Sequence, residues 1–101
     1  MTVLHAVTLG HGSGWDQSQP IEGQQLWPEH RDFMNVMEDE GFIVLGGPLG
    51  DGENVLLVFD AENEDQIRTR LATDPWHERD MLFIEKIQPW DIRLDSRSSR
   101  G

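Results

Sequence analysis

Two polar residues fall where apolar ones are expected, and a βαββαβ fold would bring them together as a candidate acid–base pair. His30 lies on the apolar stripe of a predicted helix, in register with Phe33, Met34 and Met37 at i, i+3, i+4 and i+7. Asp74 completes a second stripe with Ile67 and Leu71. An imidazole can act as general acid or base near neutrality, and a neighbouring carboxylate fixes its tautomer and favours its charged form. The chemistry on offer is proton transfer, with His30 taking the proton and Asp74 orienting and charge-balancing it. Each residue also has a plainer role. A histidine can close the first helical turn through the backbone, and Asp before Pro is a common turn former.

Other residues suit a small-molecule site. Trp15 and Trp76 could wall a planar ligand, while tryptophans in such places also seal loops and dimers. Gly46 and Gly47 would let backbone N–H groups approach an oxyanion, unless they serve only a tight turn. His11 is expected near the same mouth, as is His77. His5, inside a strand, reads as a hydrogen-bonded core or interface residue, and Trp27 as structural.

No HxH, HxxxH or HExxH spacing is present, and no nucleotide fingerprint, so the expectation is a site without metal or cofactor. Nor is Gly46-Gly47-Pro48 a phosphate loop, since it lacks the lysine and the helix start that follow one.

The elements that must position these residues are well punctuated. A strand over Thr2–Leu9 ends at Gly10, Gly12 and Gly14. The segment from Gly10 to Trp27 is longer than a usual connection and is a candidate lid. Trp27-Pro28 opens the first helix and Gly41 stops it. Phe42–Leu45, closed by Gly46-Gly47-Pro48, and Val55–Phe59 flank the Gly50-Asp51-Gly52 turn as a hairpin. Asn63 with Gln66 resembles a capping box for the second helix, which Pro75 ends near Asp74. Met81–Ile87 is the last strand. Residues 1–94 read as one domain, with a Ser/Arg-rich tail from 95 to 101 expected to be disordered.

The order βαββαβ is that of the ferredoxin-like α+β fold, a four-stranded antiparallel sheet with two helices on one face. It brings the end of the first strand, the start of the first helix, the second strand's end and the second helix's end to one end of the molecule. His11, His30, Gly46-Gly47 and Asp74 would meet there. Phe42–Leu45 and Val55–Phe59 lack polar alternation, as strands buried on both faces do. Two helices cover one face only, so a second copy of the sheet is expected on the other, as a homodimer.

Several stretches carry a family resemblance. They are His30-Arg31-Asp32-Phe33-Met34, the run from Glu40 to Leu49, Ala61 with the acidic helix start, Asp74-Pro75-Trp76, and Ile87-Gln88-Pro89-Trp90. In this order and spacing they resemble the YciI-like (YCII-related) family of the dimeric α+β barrel superfamily. The resemblance implies a ferredoxin-like dimer with a His–Asp site, at His30 and Asp74 by position. One related enzyme type removes chloride from a chlorinated hydroxyhydroquinone, and similar barrels include muconolactone isomerases. The long Gly10–Leu26 segment departs from the family's shorter connection.

Composition narrows the partners. Asp and Glu number 19 against 8 Lys and Arg, a net charge of −11. Such a chain repels nucleic acid and anionic membranes. There is no cysteine, which excludes disulfides and thiolate chemistry and fits a reducing cytoplasm. Composition fits a cytoplasmic protein, and the His30–Asp74 pair together with the family resemblance implies a cofactor-independent, lyase- or isomerase-like enzyme for a small aromatic or lactone-like molecule. A non-catalytic dimeric ligand-binding or interaction module is the alternative, and a haem-binding barrel a weaker third.

Overall fold

In the computed structural model, residues 1–97 are described. β1 (Val3–His11) is followed by a single 3-10 turn (Ile21–Gly23), α1 (Trp27–Asp39), β2 (Ile43–Leu49) and β3 (Asn54–Ala61). α2 (Glu64–Leu71), a short α3 (Pro75–Glu78) and β4 (Leu82–Pro89) complete the chain. The sheet is antiparallel in the order β2-β3-β1-β4, the ferredoxin-like arrangement expected from the element order. Of the tail expected from residue 95, residues 98–101 lie outside the described residues. At 95–97 the Arg97 guanidinium donates to the Asp95 carboxylate.

Strand alternation sorts the side chains into two faces. His5, Val7, Leu9 and His11 share one face of β1. Pairing places them beside Phe59, Leu57 and Val55 on β3 and Ile87, Ile84 and Leu82 on β4. The helices cover this face, where Met37, Ile67, Leu71 and Trp76 join the strand residues in the core. The opposite face carries Leu45, Leu49 and Phe83, which are 48%, 47% and 41% exposed. Apolar residues that defeat polar alternation are thus left on an uncovered sheet face.

Two sequence boundaries shift for physical reasons. β2 does not stop at Leu45 but continues through Gly46-Gly47-Pro48 to Leu49. It is an edge strand, and there proline's missing donor costs no ladder bond. Gly46 is needed for packing, because a Cβ at this position would collide with the Leu57 side chain.

The second helix ends at Leu71 rather than near Asp74. Asp74 instead caps α3, accepting from the Trp76 amide at 3.1 Å, with Pro75 in the first helical turn. The carboxylate therefore sits at the favourable end of a short helix, not at the unfavourable end of a longer one. Pro75 breaks one helix and begins the next.

Candidate active site

His30 sits in the first turns of α1, where Leu26 caps the helix in a left-handed conformation with φ 63°. A bulky residue there is uncommon and strained. The preceding Gln25 carbonyl accepts from Trp76 Nε1 at 2.7 Å, so this turn ties the start of α1 to α3. α1 and α3 thereby meet across His30 and Asp74. His30 Nδ1 lies 2.9 Å from both Asp74 oxygens, and the carboxylate is 0% exposed. An ionised carboxylate accepts only, so Nδ1 carries the proton, and in the neutral form of the ring Nε2 is the bare nitrogen. The ring stacks on the Trp76 indole, and its plane is fixed by that contact.

His30 and Trp76 line a cavity of about 600 Å³. Leu9, Trp15, Ile21, Trp27, Ile43 and Leu57 supply apolar wall. Trp15 stands edge-on to Trp76 at 5.3 Å between centroids. His11 stacks on Trp15 at 3.9 Å. Burial pushes the His11 imidazole below its ordinary value, and Glu53 opposes that shift. Of the charged residues on the cavity wall, Arg31 is outnumbered by Glu38, Asp51 and Glu53. This cavity suits a planar, largely apolar molecule better than a polyanion.

Gly46 and Gly47 also border the cavity. Register puts Gly46 on the covered sheet face and Gly47 on the open one, where a Cβ would meet nothing. Six of the seven site residues expected from sequence therefore line one hollow, and Asp74 is the exception. Asp74 reaches it only through His30, because it is sealed from the cavity itself. Among the described residues, no three His, Asp or Glu side chains are placed to share a metal ion.

The long segment after β1 forms one wall. Gly12 N and Gly14 N donate to Met81 O and Asp80 O, and the Ser13 hydroxyl donates to Asp80 Oδ2 at 2.7 Å. Side chains at Gly12 or Gly14 would collide with the Asp80 and Arg79 carbonyls, which explains the glycine spacing. Further on, buried Gln24 staples the loop. Its amide group donates to the Asp16 and Gln19 carbonyls, and its oxygen accepts from the Asp16 amide. Neither Gln24 nor the Leu26 turn was signalled by any period or motif.

His77 was expected near the mouth of the cavity, but it is not part of its wall. Its side chain is 10% exposed, with a buried Nε2 at 3.9 Å from Asp74 Oδ2. The i, i+3 spacing from Asp74 was the available signal. His5 is buried, with Nδ1 at 3.0 Å from the Val3 carbonyl.

No family model and no curated protein sequence matches the chain. Solved structures do. One is a structural-genomics protein, YJCS, with a TM-score of 0.57 and 12% identity, covering 92% of this chain and all of its own. Another is 5-chloro-2-hydroxyhydroquinone dehydrochlorinase from Burkholderia phenoliruptrix, solved with 2,5-dihydroxybenzoquinone. It has a TM-score of 0.54 and 17% identity, covering 86% of this chain and 93% of its own. At such identities the likeness establishes a shared fold. Among the described residues no helix is long and apolar enough to cross a membrane.

Proposed function

We propose that this chain is a small enzyme that moves a proton on a planar, hydroxylated or lactone-like molecule, in the manner of a lyase or isomerase. The observation that carries the reading is the His30–Asp74 pair. A buried carboxylate clasps Nδ1 at 2.9 Å, and the ring lines an aromatic-walled cavity. Nε2 removes a proton from the bound molecule, and Asp74 stabilises the imidazolium that forms. In an elimination, the electron pair left behind forms a double bond as the leaving group departs with its own pair. In an isomerisation, the same proton returns to a different carbon. Both outcomes are redox-neutral.

Trp15, Trp76 and His11 would hold the planar ligand. β2 is an edge strand, so some backbone groups near Gly46 and Gly47 have no partner on β3 and could face an enolate-like oxygen. The fold likeness to a dehydrochlorinase, solved with a dihydroxybenzoquinone, supports this substrate class. So does the sequence resemblance to the YciI-like family. The uncovered face bearing Leu45, Leu49 and Phe83 supports a homodimer closed sheet against sheet, and the acidic, cysteine-free chain fits the cytoplasm.

The test is chloride release from 5-chloro-2-hydroxyhydroquinone, with 2,5-dihydroxybenzoquinone as a binding probe followed by tryptophan fluorescence. The reading expects quenching in both wild type and His30→Asn, with turnover in wild type alone. Equal turnover in both proteins would refute the assigned base. The second reading, a ligand-binding module without chemistry, draws on the tryptophan-rich wall alone. It expects quenching in both proteins and no turnover across related phenols and lactones.

A further inference from the structure

Asp74 has a second imidazole near it, outside the cavity wall. His77 Nε2 is 3.9 Å from Asp74 Oδ2, buried, and without a hydrogen-bond partner among the described residues. Native proteins seldom leave such an atom unsatisfied, and each instance calls for a reason. A water between the two atoms does not supply one, because tetrahedral bridging at normal lengths needs about 4.5 Å. We propose that His77 is a positioning residue of the site, a neutral imidazole whose Nε2–H turns to Oδ2 and braces Asp74 from outside the cavity wall. This rests on the reading of His30 and Asp74 as the working pair.

The tautomer follows from electrostatics. A bare Nε2 would set its lone pair against a buried anionic oxygen, whereas an N–H there is attracted to it. Closing 3.9 Å to hydrogen-bond length requires movement of about 1 Å, well within side-chain adjustment. α3 supplies the frame, with Asp74 as its cap and His77 one turn on.

Burial holds the imidazole below its ordinary value, which keeps it neutral. Asp74 opposes that shift and His30 adds to it. Around His77, Arg68 on α2 is paired with Glu64, and Asp80 is held by Ser13. The stretch of β4 beside it, Leu82 to Ile84, carries no charge. Asp74 is thus the charge that Nε2 meets, joined by His30 when that ring is protonated.

Bracing matters when His30 becomes an imidazolium. The carboxylate is then drawn toward the cavity side, and a second donor keeps both oxygens on Nδ1. Protonation of His77 would oppose protonation of His30 across the same carboxylate.

Histidine-resolved NMR titration of the full chain, without ligand, tests this. In wild type, His77 should titrate below 6.5, its ordinary value. His30→Gln should raise its midpoint, and Asp74→Asn should lower it. The downfield Nδ1–H signal of His30 should broaden in His77→Leu and recover in His77→Gln, whose amide keeps a donor. A His77 midpoint unmoved by His30→Gln, or a His30 signal unchanged in His77→Leu, overturns the proposal. No substrate is involved, so these results stand apart from the assay above. Coupled histidines in an inactive chain would keep the brace and refute the enzyme. An active chain with uncoupled histidines would do the reverse.

Discussion

The His30 imidazole lies flat on the Trp76 indole, with ring centroids 3.8 Å apart and planes 8° from parallel. Trp76 also donates its backbone N–H to Asp74 Oδ1, and Asp74 in turn holds His30 Nδ1. One residue therefore fixes the plane of the imidazole and helps fix the carboxylate that orients it. The closed loop of contacts leaves Nε2 little choice of direction. Preorganisation of this kind is what proton transfer requires of a base.

Trp76 should separate stability from orientation. The residue is 1% exposed, so Trp76→Ala should cost about 3–5 kcal/mol in urea unfolding. Trp76→Phe keeps a ring for His30 but loses the bond from Nε1 to the Gln25 carbonyl. Its expected cost is smaller, since that bond contributes about 1 kcal/mol and the repacking of a smaller ring adds to it. Turnover should fall in Trp76→Phe even at temperatures where it is fully folded.

Asp74 should behave differently toward asparagine and alanine. Asp74→Asn retains an oxygen to cap α3 but removes the charge, and it permits the wrong imidazole tautomer. The loss in turnover should be large, about 10²–10⁴-fold, with modest change in stability. Asp74→Ala removes the cap and leaves a buried Nδ1–H without an acceptor, adding a stability cost of about 2–4 kcal/mol. Similar unfolding midpoints for the two variants would refute the capping argument.

The meeting of His30 and Asp74 was legible because each lies in a strongly punctuated stretch and topology fixes which ends coincide. Pro75 was read as a stop, correctly, but it also starts α3, and local chemistry allows both. Gly46-Gly47-Pro48 looked like a turn, whereas an edge strand tolerates all three residues. Gln24 and the left-handed Leu26 were not legible. Their roles depend on contacts made with Asp16, Gln19 and α3 after folding, and no sequence period encodes them.

The uncovered sheet face should carry the dimer. Leu49→Asp and Phe83→Asp each place a charge among exposed apolar side chains on the open sheet face, and neither residue lines the cavity. Light scattering should give a dimer mass for wild type and a monomer mass for the double variant, with unchanged far-UV circular dichroism. A monomeric wild type at all concentrations would leave this face open and refute the assembly.

Acid should weaken the fold through His77. Its imidazole is held below 6.5 chiefly by burial, so the unfolded chain binds a proton there that the native chain refuses. Stability then rises with pH. The contribution is complete above 6.5 and declines as pH falls below it, until pH has passed beneath the lowered native value. While this group titrates, the slope approaches about 1.4 kcal/mol per pH unit for one proton. His77→Gln cannot titrate, so its unfolding free energy should vary less between pH 6.5 and 5 than that of wild type. His11, lowered for the same reason, remains in both proteins and should leave the variant a residual slope. Parallel pH profiles for the two proteins would mean that His77 is accessible to protons in the folded state.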